Sequence, residues 1–360
     1  MLGAQSQPDF SQDPAFTQAI YMEDDIKHHI IKSRLLISQL ADSSDWVPYQ
    51  QKNGITLTTL DIEGDPLPAI RGSAEVDIGV EELIRCIRSA GARQILDTSI
   101  IGDPRFVEGH LVRHLGGNNN SLYSKMPGVL AIVAPRYIYG VQQRYYLPET
   151  DTHVILVCSL PLSDEAPMPK GHITVDVKVA GWYLKPLTPQ RTEVSYYALV
   201  DPAGTIPSFV ARLASSQAGL CVATVRDYIN DFGAPMGMSV VGALKIERFE
   251  FEHKSRMYDF RVTMPDSVSD EQVKDTYMEV NVDRKMYPSG VSIVMTGNGA
   301  EGSIEAATVR KGRSEACVWV KIFFANHSYR GTSIFVCTKN ESGPFTLTLN
   351  DKELPEVETF

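Results

Sequence analysis

The stretch 206–232, IPSFVARLASSQAGLCVATVRDYINDF, determines how the rest of the chain is interpreted. Its apolar residues recur mostly every three or four positions, which predicts one long amphipathic helix. Pro207 suits a first helical turn, and Gly233 with Pro235 ends the pattern. Residues 215–219, SSQAG, are small or polar where a core helix would carry bulk. Small and polar side chains in the middle of the helix indicate either an ordinary amphipathic helix or a helix that forms one wall of a cavity.

Length and composition predict a globular protein of two domains. The chain of 360 residues exceeds the usual size of one domain, and 43% hydrophobic residues suffice for a core. The net charge of −10 argues against an extended nucleic-acid surface. Five scattered cysteines without a CxxC pair are typical of free thiols in a reducing compartment. We expect a cytoplasmic protein, because no signal peptide or membrane-spanning run is evident.

The first half of the chain predicts helices at both ends of a group of strands. A helix over 17–40 precedes three extended segments, at 46–52, 55–62 and 69–76. Apolar spacing then predicts helices over 80–90 and 104–115. Six strands follow, at 121–125, 129–133, 137–147, 153–159, 173–186 and 192–201. The loop 160–171, LPLSDEAPMPKG, is long enough to act as a lid or a binding loop. Such a sheet has one face to bury, and the helix at 206–232 remains to cover it.

The junction between the last strand and this helix carries a recognisable motif. A strand running into V-D-P-x-G-x-I-P and then into a helix is found at Val200, Asp201, Pro202, Gly204, Ile206, Pro207 and Phe209. Residues 134–137, APRY, resemble a Ser/Gly-Pro-Arg-Asp turn with Tyr137 in place of the aspartate. Residues 93–97, RQILD, stand where an Arg-x-x-Trp-Asp motif often occurs, with Leu96 in place of the tryptophan. With these motifs, residues 20–232 resemble a distant member of the START (steroidogenic acute regulatory protein-related lipid transfer) domain family.

The resemblance implies an α+β helix-grip domain, in which a curved antiparallel sheet surrounds a long C-terminal helix. Such a domain holds one lipid, a sterol, a phospholipid or similar, in a tunnel gated by that helix and the 160–171 loop. The implied function is intracellular lipid binding and transfer, with no cofactor, metal or catalytic residue. An apolar cavity can compete with a bilayer because each buried methylene contributes ~0.8 kcal/mol.

One face of the last helix is predicted to line the tunnel: Val210, Leu213, Gln217, Leu220, Cys221 and Thr224. Gln217 either hydrogen-bonds the ligand or is exposed. By the resemblance, Tyr123 and Gln142 take the places of a carboxylate and an arginine found in sterol-carrying members. Both are neutral groups that can hold a hydroxyl without the cost of burying a charge. The alternative for Tyr123 is that it only packs.

Two other functions remain open. His110 and His114 have a spacing that can bind zinc on a helix, but no third ligand is evident, so exposed helix histidines are favoured. No nucleophile triad or carboxylate pair stands out, and an enzyme would take the form of a polyketide cyclase-like relative. An interaction or scaffold protein, with the tunnel filled by its own side chains, is the other alternative.

The second half of the chain predicts a β-sandwich, which is a candidate docking surface for a protein partner. Eight strands are expected, at 240–252, 256–264, 276–283, 290–295, 305–310, 316–324, 333–338 and 345–349. The predicted division is a tail at 1–15, the START-like domain at 16–234, a linker at 235–239, the sandwich at 240–350 and an acidic, disordered tail at 351–360. A basic and aromatic cluster either contacts an anionic membrane transiently or is a solvated turn: Arg310, Lys311, Arg313, Trp319, Lys321, Phe323 and Phe324.

Overall fold

The structure is a computed structural model that describes most of the chain. The described residues are 13–19, 21–89, 91–93, 108–128, 134–204, 218–274, 276–297, 307–311, 317–323, 331–354 and 356–357. The chain folds into two compact units, Met1–Val80 with Gln94–Asp227 and Glu81–Arg93 with Tyr228–Phe360. Residues 81–93, which we expected within a domain at 16–234, therefore group with the second unit.

The helices whose bounds are described are α1 Pro14–Thr17, α2 Asp24–Asp42, α3 Val80–Arg88, α4 Cys221–Phe232 and α5 Asp270–Lys274, and residues 91–93 and 218–219 are also helical. Asp24 and Asp25 occupy the first turn of α2, where carboxylates favour the positive end of the helix dipole. Of the helix predicted at 206–232, the structure describes the part that forms α4, Cys221–Phe232, while residues 205–217 lie outside the described residues.

One large sheet makes up most of the first unit. Its strands are β1 Val47–Lys52, β2 Ile55–Leu60, β3 Ala69–Val76, β4 Glu108–Gly116, β5 Asn119–Met126, β6 Arg136–Leu147, β7 Thr152–Ser159, β8 Ile173–Thr174, β9 Asp176–Thr188 and β10 Arg191–Asp201. The order is β1-β2-β3-β10-β9-β7-β6-β5-β4, and the short β8 pairs with β6. The β8 pairing is parallel and the other pairings are antiparallel. The turn between β1 and β2 is an Asn-Gly hairpin turn, with positive φ at Asn53 and Gly54.

The helix predicted at 104–115 is wrong for its described part, since residues 108–116 form β4. This strand pairs with β5, which follows after a two-residue turn at Gly117 and Asn118. A short apolar window fits a helix or a strand about equally well, and the pairing partner decides between them. The strand predicted at 129–133 lies outside the described residues.

Helix α2 packs on one face of this sheet, which we call the α2 face. Its buried apolar side chains are Ile26, Ile30, Ile37 and Leu40. They belong to one core with Tyr139, Val141, Leu156 and Val179 of the central strands. At Gly181 a Cβ would lie 2.1 Å from Ile37 Cδ1, so the absence of a side chain there lets the helix approach.

The second unit contains two sheets in its described residues. The first has the order β11-β14-β17-β16-β21 and the second β12-β13-β18-β15-β19-β20. The strands are β11 Gly237–Val241, β12 Lys245–Glu252, β13 Met257–Met264, β14 Tyr277–Asp283, β15 Gly290–Gly297, β16 Ala307–Lys311, β17 Cys317–Phe323, β18 Gly331–Lys339, β19 Thr346–Leu349, β20 Lys352–Glu353 and β21 Glu356–Val357. Alternate residues of β13 and β14 are buried, so each sheet has one buried face. Strand β11 begins inside the predicted linker, and β20 and β21 lie inside the predicted disordered tail.

Candidate functional site

The site is built on the face of the large sheet opposite α2. Residues paired across antiparallel strands point to the same side, and successive residues point to opposite sides. Val179 of β9 belongs to the core under α2, so its neighbour Ala180 points to the other side. The registers extend this side across the sheet: Ala180 pairs with Ala198 on β10 and with Val157 on β7.

Seven residues form a continuous row across this opposite face, which we call the cross-sheet row. Their pairings run from β3 through β10, β9, β7, β6 and β5 to β4. In that order they are Ile70, Ala198, Ala180, Val157, Gln142, Asn120 and His114. With neighbouring strands about 4.8 Å apart, the row is about 29 Å long measured along the sheet. Its first four residues are apolar, and its last three are polar and carry no carboxylate.

The middle of the cross-sheet row is less covered than the α2 face of the same strands. Val157 and Ala180 are half-buried, although they lie at the centres of central strands. On the α2 face, Leu156 is 1% exposed and Val179 is 0% exposed. A packed core would bury both faces to the same extent. The alanine side chains at 180 and 198 add little volume to the face opposite α2, and Ala198 is 3% exposed.

The apolar end of the row lies against the segment that leads into α4. A Cβ on Gly72 of β3 would lie 2.0 Å from the carbonyl oxygen of Gly219. A Cβ on Gly219 would in turn lie 2.6 Å from Leu57 Cδ2 and 3.3 Å from Ile70 Cγ1. Two glycines thus allow backbone to meet backbone, and the chain before α4 covers one end of the row.

The polar end of the row is a hydrogen-bonded group. His114 is 4% exposed, and its Nδ1 lies 2.8 Å from Asn120 Oδ1. Gln142, paired with Asn120 across the strands, is 7% exposed. An imidazole and two amides can donate to and accept from an uncharged hydroxyl or carbonyl.

Arg136 connects the two motifs that carried the sequence resemblance. Its Nε donates to Pro202 O at 2.9 Å and its Nη2 to Ala203 O at 3.1 Å, while Nη1 donates to Ala134 O at 2.7 Å. Ala203 has φ 51°, and its N–H donates to Asp201 Oδ1 at 2.9 Å. Burial lowers the pKa of Arg136 from its ordinary value. The arginine thus fixes the turn that leads into the last helical region.

The loop 160–171 is held in place at its middle. Tyr137 donates its hydroxyl to Ala166 O at 2.7 Å, and Ala166 is 3% exposed. On either side of Ala166, Leu162 and Met168 are 51% and 38% exposed. These two large apolar side chains at the surface of the loop are available for contact with an apolar partner.

The structure separates the predicted site residues. Gln142 lies on the cross-sheet row, whereas Tyr123 pairs with Tyr139 and therefore points to the α2 face. There its ring stacks on Tyr137 at 5.9 Å between centroids and meets His110 at 5.6 Å. Gln142 and Tyr123 thus lie on opposite faces of one sheet.

The predicted helix residues are only partly described. Leu220 is 6% exposed, and Cys221 and Thr224 are half-buried. The Thr224 hydroxyl donates to Cys221 O at 3.0 Å, so it is used by the helix backbone. Val210, Leu213 and Gln217 lie outside the described residues.

Asn120 and His114 were not predicted from the sequence as partners of Gln142. His114 was expected to be exposed on a helix, but the residue is buried on a strand, so that expectation is corrected. Within the described ranges, no group of three or more His, Cys, Asp or Glu residues is placed to hold a metal. The sequence at 116–120 is rich in Gly and Asn and indicates a turn. Only the strand pairing, however, brings the side chains of His114, Asn120 and Gln142 together.

Two other features bear on membranes. No helix among the described residues combines the length and the apolar character needed to cross a bilayer. In the basic cluster, Lys321 Nζ lies 3.5 Å from Glu279 Oε2 and 4.7 Å from the centre of the Tyr277 ring. Part of the charge predicted to face a membrane is therefore paired within its own sheet.

The fold over part of the chain is that of a StAR-related lipid transfer (START) domain, a large antiparallel sheet with few helices. Human StAR-related lipid transfer protein 5 is 15% identical with a TM-score of 0.50, and the match covers 57% of this chain and 96% of that one. Human STARD10 is 16% identical with a TM-score of 0.46, covering 61% and 87%. An aromatase/cyclase from Streptomyces sp. R1128 also matches, at 11% identity and a TM-score of 0.27, covering 44% and 88%. No family model and no curated protein matches the chain.

Proposed function

We propose that the first unit binds one lipid on the face of the sheet opposite α2 and carries it between membranes. The observation that carries this proposal is the cross-sheet row, half-buried at Val157 and Ala180 and lined by small side chains. The START-like fold supports it. The row changes from apolar to polar along its length, which matches an amphiphile with a long apolar body.

The lipid we propose has an uncharged polar group. The polar end of the row offers His114, Asn120 and Gln142, and no carboxylate or ammonium lies on it. A neutral hydroxyl or carbonyl can be satisfied there without burying a net charge. Leu220, Cys221 and Thr224, together with Val210, Leu213 and Gln217, are proposed to cover the ligand from the helix side. The loop 160–171 is proposed as the second part of the gate.

We further propose that the domain binds without chemical turnover and acts in the cytoplasm, with transient contact at membranes. Within the domain predicted at 16–234, the residues of the first unit are the lipid-binding part, and the β-sandwich predicted at 240–350 docks a partner. Two sheets with one buried face each support the sandwich.

Native mass spectrometry of the purified protein, followed by solvent extraction, tests the proposal. We expect one bound lipid per chain. Ala180→Leu should remove it with little loss of folding, because the added side chain enters the space on the row. Gln190→Leu, at an exposed turn, is the matched control and should keep the lipid. An empty wild-type protein that transfers no lipid between vesicles contradicts the proposal. Turnover of a polyketide or lipid substrate would favour an enzyme instead.

A further inference from the structure

A second polar group lies on the α2 face, outside the proposed lipid site. Arg34 of α2, Asn119 of β5 and Gln143 of β6 are 4%, 0% and 1% exposed. Such polar side chains are seldom buried unless their hydrogen bonds are satisfied.

These three side chains hold one another in place. Arg34 Nε donates to Gln143 Oε1 at 2.6 Å, and Gln143 Nε2 donates to Asn119 Oδ1 at 2.6 Å. Asn119 Nδ2 also donates to Gly116 O at 2.9 Å. These bonds join residues of α2, β5 and β6 and need no contribution from the N-terminal segment. The group is therefore preorganised.

The segment Asp13–Phe16 occupies this group as a short peptide would. Its Asp13 carboxylate pairs with Arg34 Nη1, while its other oxygen accepts from Ala15 N at 2.8 Å. The carbonyl of Ala15 accepts from Asn119 Nδ2 at 2.8 Å and from Gln143 Nε2 at 3.4 Å. A carboxylate and a backbone carbonyl two residues later are thus both recognised.

An aromatic ring completes the recognition. The Arg34 guanidinium lies 4.6 Å from the centre of the Phe16 ring and 3.7 Å from that of Tyr145. The planar cation is therefore held by Tyr145, which belongs to the sheet, and covered by Phe16, which belongs to the segment.

The segment lies at the surface except at Ala15, which is buried. The Asp13 side chain is 24% exposed, Phe16 is half-buried, and Pro14 and Thr17 are exposed. The groups it covers are almost fully buried. Removing the segment would expose a formed site that offers a guanidinium, two amide donors and an aromatic face.

We propose that Arg34, Asn119, Gln143 and Tyr145 form a peptide-binding site, which the chain's own segment Asp13–Phe16 occupies in cis. The site recognises a short segment with an aspartate followed three residues later by an aromatic residue. A partner protein carrying such a segment binds by displacing the chain's own.

Fluorescence anisotropy with a labelled peptide of residues 11–19, SQDPAFTQA, tests this on the full chain. Asp13→Asn/Phe16→Ala empties the site. The peptide should bind this variant at least about tenfold more tightly than wild type, where the cis segment competes. A peptide with Asn in place of the aspartate should bind about tenfold more weakly, because a charge-assisted hydrogen bond is lost.

Two further variants place the binding at this site. Arg34→Lys added to the emptied variant should abolish binding, because lysine lacks the planar fork that stacks and pairs at once. Lys32→Ala, at an exposed position of the same helix, should leave binding unchanged. Binding that survives Arg34→Lys overturns the proposal.

Folding of the emptied variant is measured in parallel by thermal melting. If it melts cooperatively and does not bind the peptide, the proposal is wrong. If it has lost cooperative melting, the added peptide must restore it, because binding to the native state stabilises that state. Failure to restore melting assigns the segment a purely structural role and also overturns the proposal. Equal binding of the peptide by the wild type and the emptied variant also overturns the proposal.

Discussion

Gln142 and Tyr123 lie on adjacent strands, and their positions in the register decide which of them a ligand can meet. Gln142 is opposite Asn120, and Tyr123 is opposite Tyr139. Because 120 and 123 differ by an odd number of residues, the two side chains point to opposite faces. Gln142 therefore shares the proposed site with His114, while Tyr123 lies on the α2 face and stacks on Tyr137.

Gln142→Leu should weaken binding of a lipid that carries a hydroxyl by about 2- to 12-fold, because one net hydrogen bond contributes about 0.5–1.5 kcal/mol. Binding of the same lipid without its hydroxyl should change little. Competitive loading from vesicles, followed by mass spectrometry, measures the ratio. Tyr123→Phe removes a hydroxyl from the other face and is the control. Equal losses for both lipids would show that Gln142 acts only through packing.

His253 of the second unit should remain neutral well below the usual range of histidine. Burial first, and Arg256 second, lower the pKa of His253 to about 4. Arg256 Nη1 lies 2.6 Å and the Tyr228 hydroxyl 2.8 Å from His253 Nδ1. The unfolded chain takes up this proton near pH 6.5 and the folded chain only near pH 4. Stability contributed by this histidine is thus present above pH 6.5 and declines as the pH falls toward 4.

NMR titration of the His253 ring, with denaturant melts over the same pH range, checks this expectation. His253→Phe should flatten the decline in unfolding free energy between pH 6.5 and pH 4. A ring that titrates near pH 6.5 in the folded protein would contradict it.

At the scale of elements, the entry into α4 is fixed at two points. Gly72 and Gly219 bring strand and chain into backbone contact, and Arg136 binds the carbonyls of the preceding turn. The residues of α4 closest to this entry are half-buried at Cys221 and Thr224. If the helix covers a lipid, loading the protein with lipid should reduce the exposure of these two side chains.

Cys221 offers a direct measurement with controls inside the same chain. It is half-buried, whereas Cys86, Cys158, Cys317 and Cys337 are buried. Burial raises the pKa of Cys158 to about 11, so little of its thiolate exists at about pH 8. We expect maleimide to modify Cys221 first and lipid loading to slow that reaction, followed by mass spectrometry of the digested protein. An unchanged Cys221 rate in the loaded protein would place this side chain away from the ligand.

At the scale of the molecule, the two units have separate sheets. The first unit contains the ten-stranded sheet, and the second contains the five- and six-stranded sheets. A ligand that binds one unit stabilises that unit by mass action. The effect should reach the second unit only if both unfold together.

Hydrogen exchange with and without lipid should therefore distinguish the units. At a lipid concentration 100 times the Kd, stabilisation is about 2.7 kcal/mol, which slows the most protected amides about 100-fold. We expect this slowing in β6, β7 and β9 and not in β13 or β14. Equal slowing in all five strands would show that the two units unfold as one.

Much of the local structure was predictable from the sequence. Strands β6, β7, β9 and β10 lie where alternating, β-branched and aromatic residues predicted them. The helix predicted at 104–115 was wrong because the apolar residues of 108–116 are also spaced as in a helix over this short stretch. Only the pairing with β5 makes the segment a strand. The resemblance in Val200–Pro202 and Arg136 correctly indicated the START-like fold over part of the chain.

The sequence by itself determined the strands, the turn chemistry and the motifs, because these depend on residues close together in the chain. Only the tertiary structure decided which side chains meet. Arg34 and Gln143 are hydrogen-bonded although they are 109 residues apart. The cross-sheet row joins residues of seven strands, and its membership follows from the register of every pairing. A shift of one residue in any register would move a side chain to the other face, and local sequence does not specify that register.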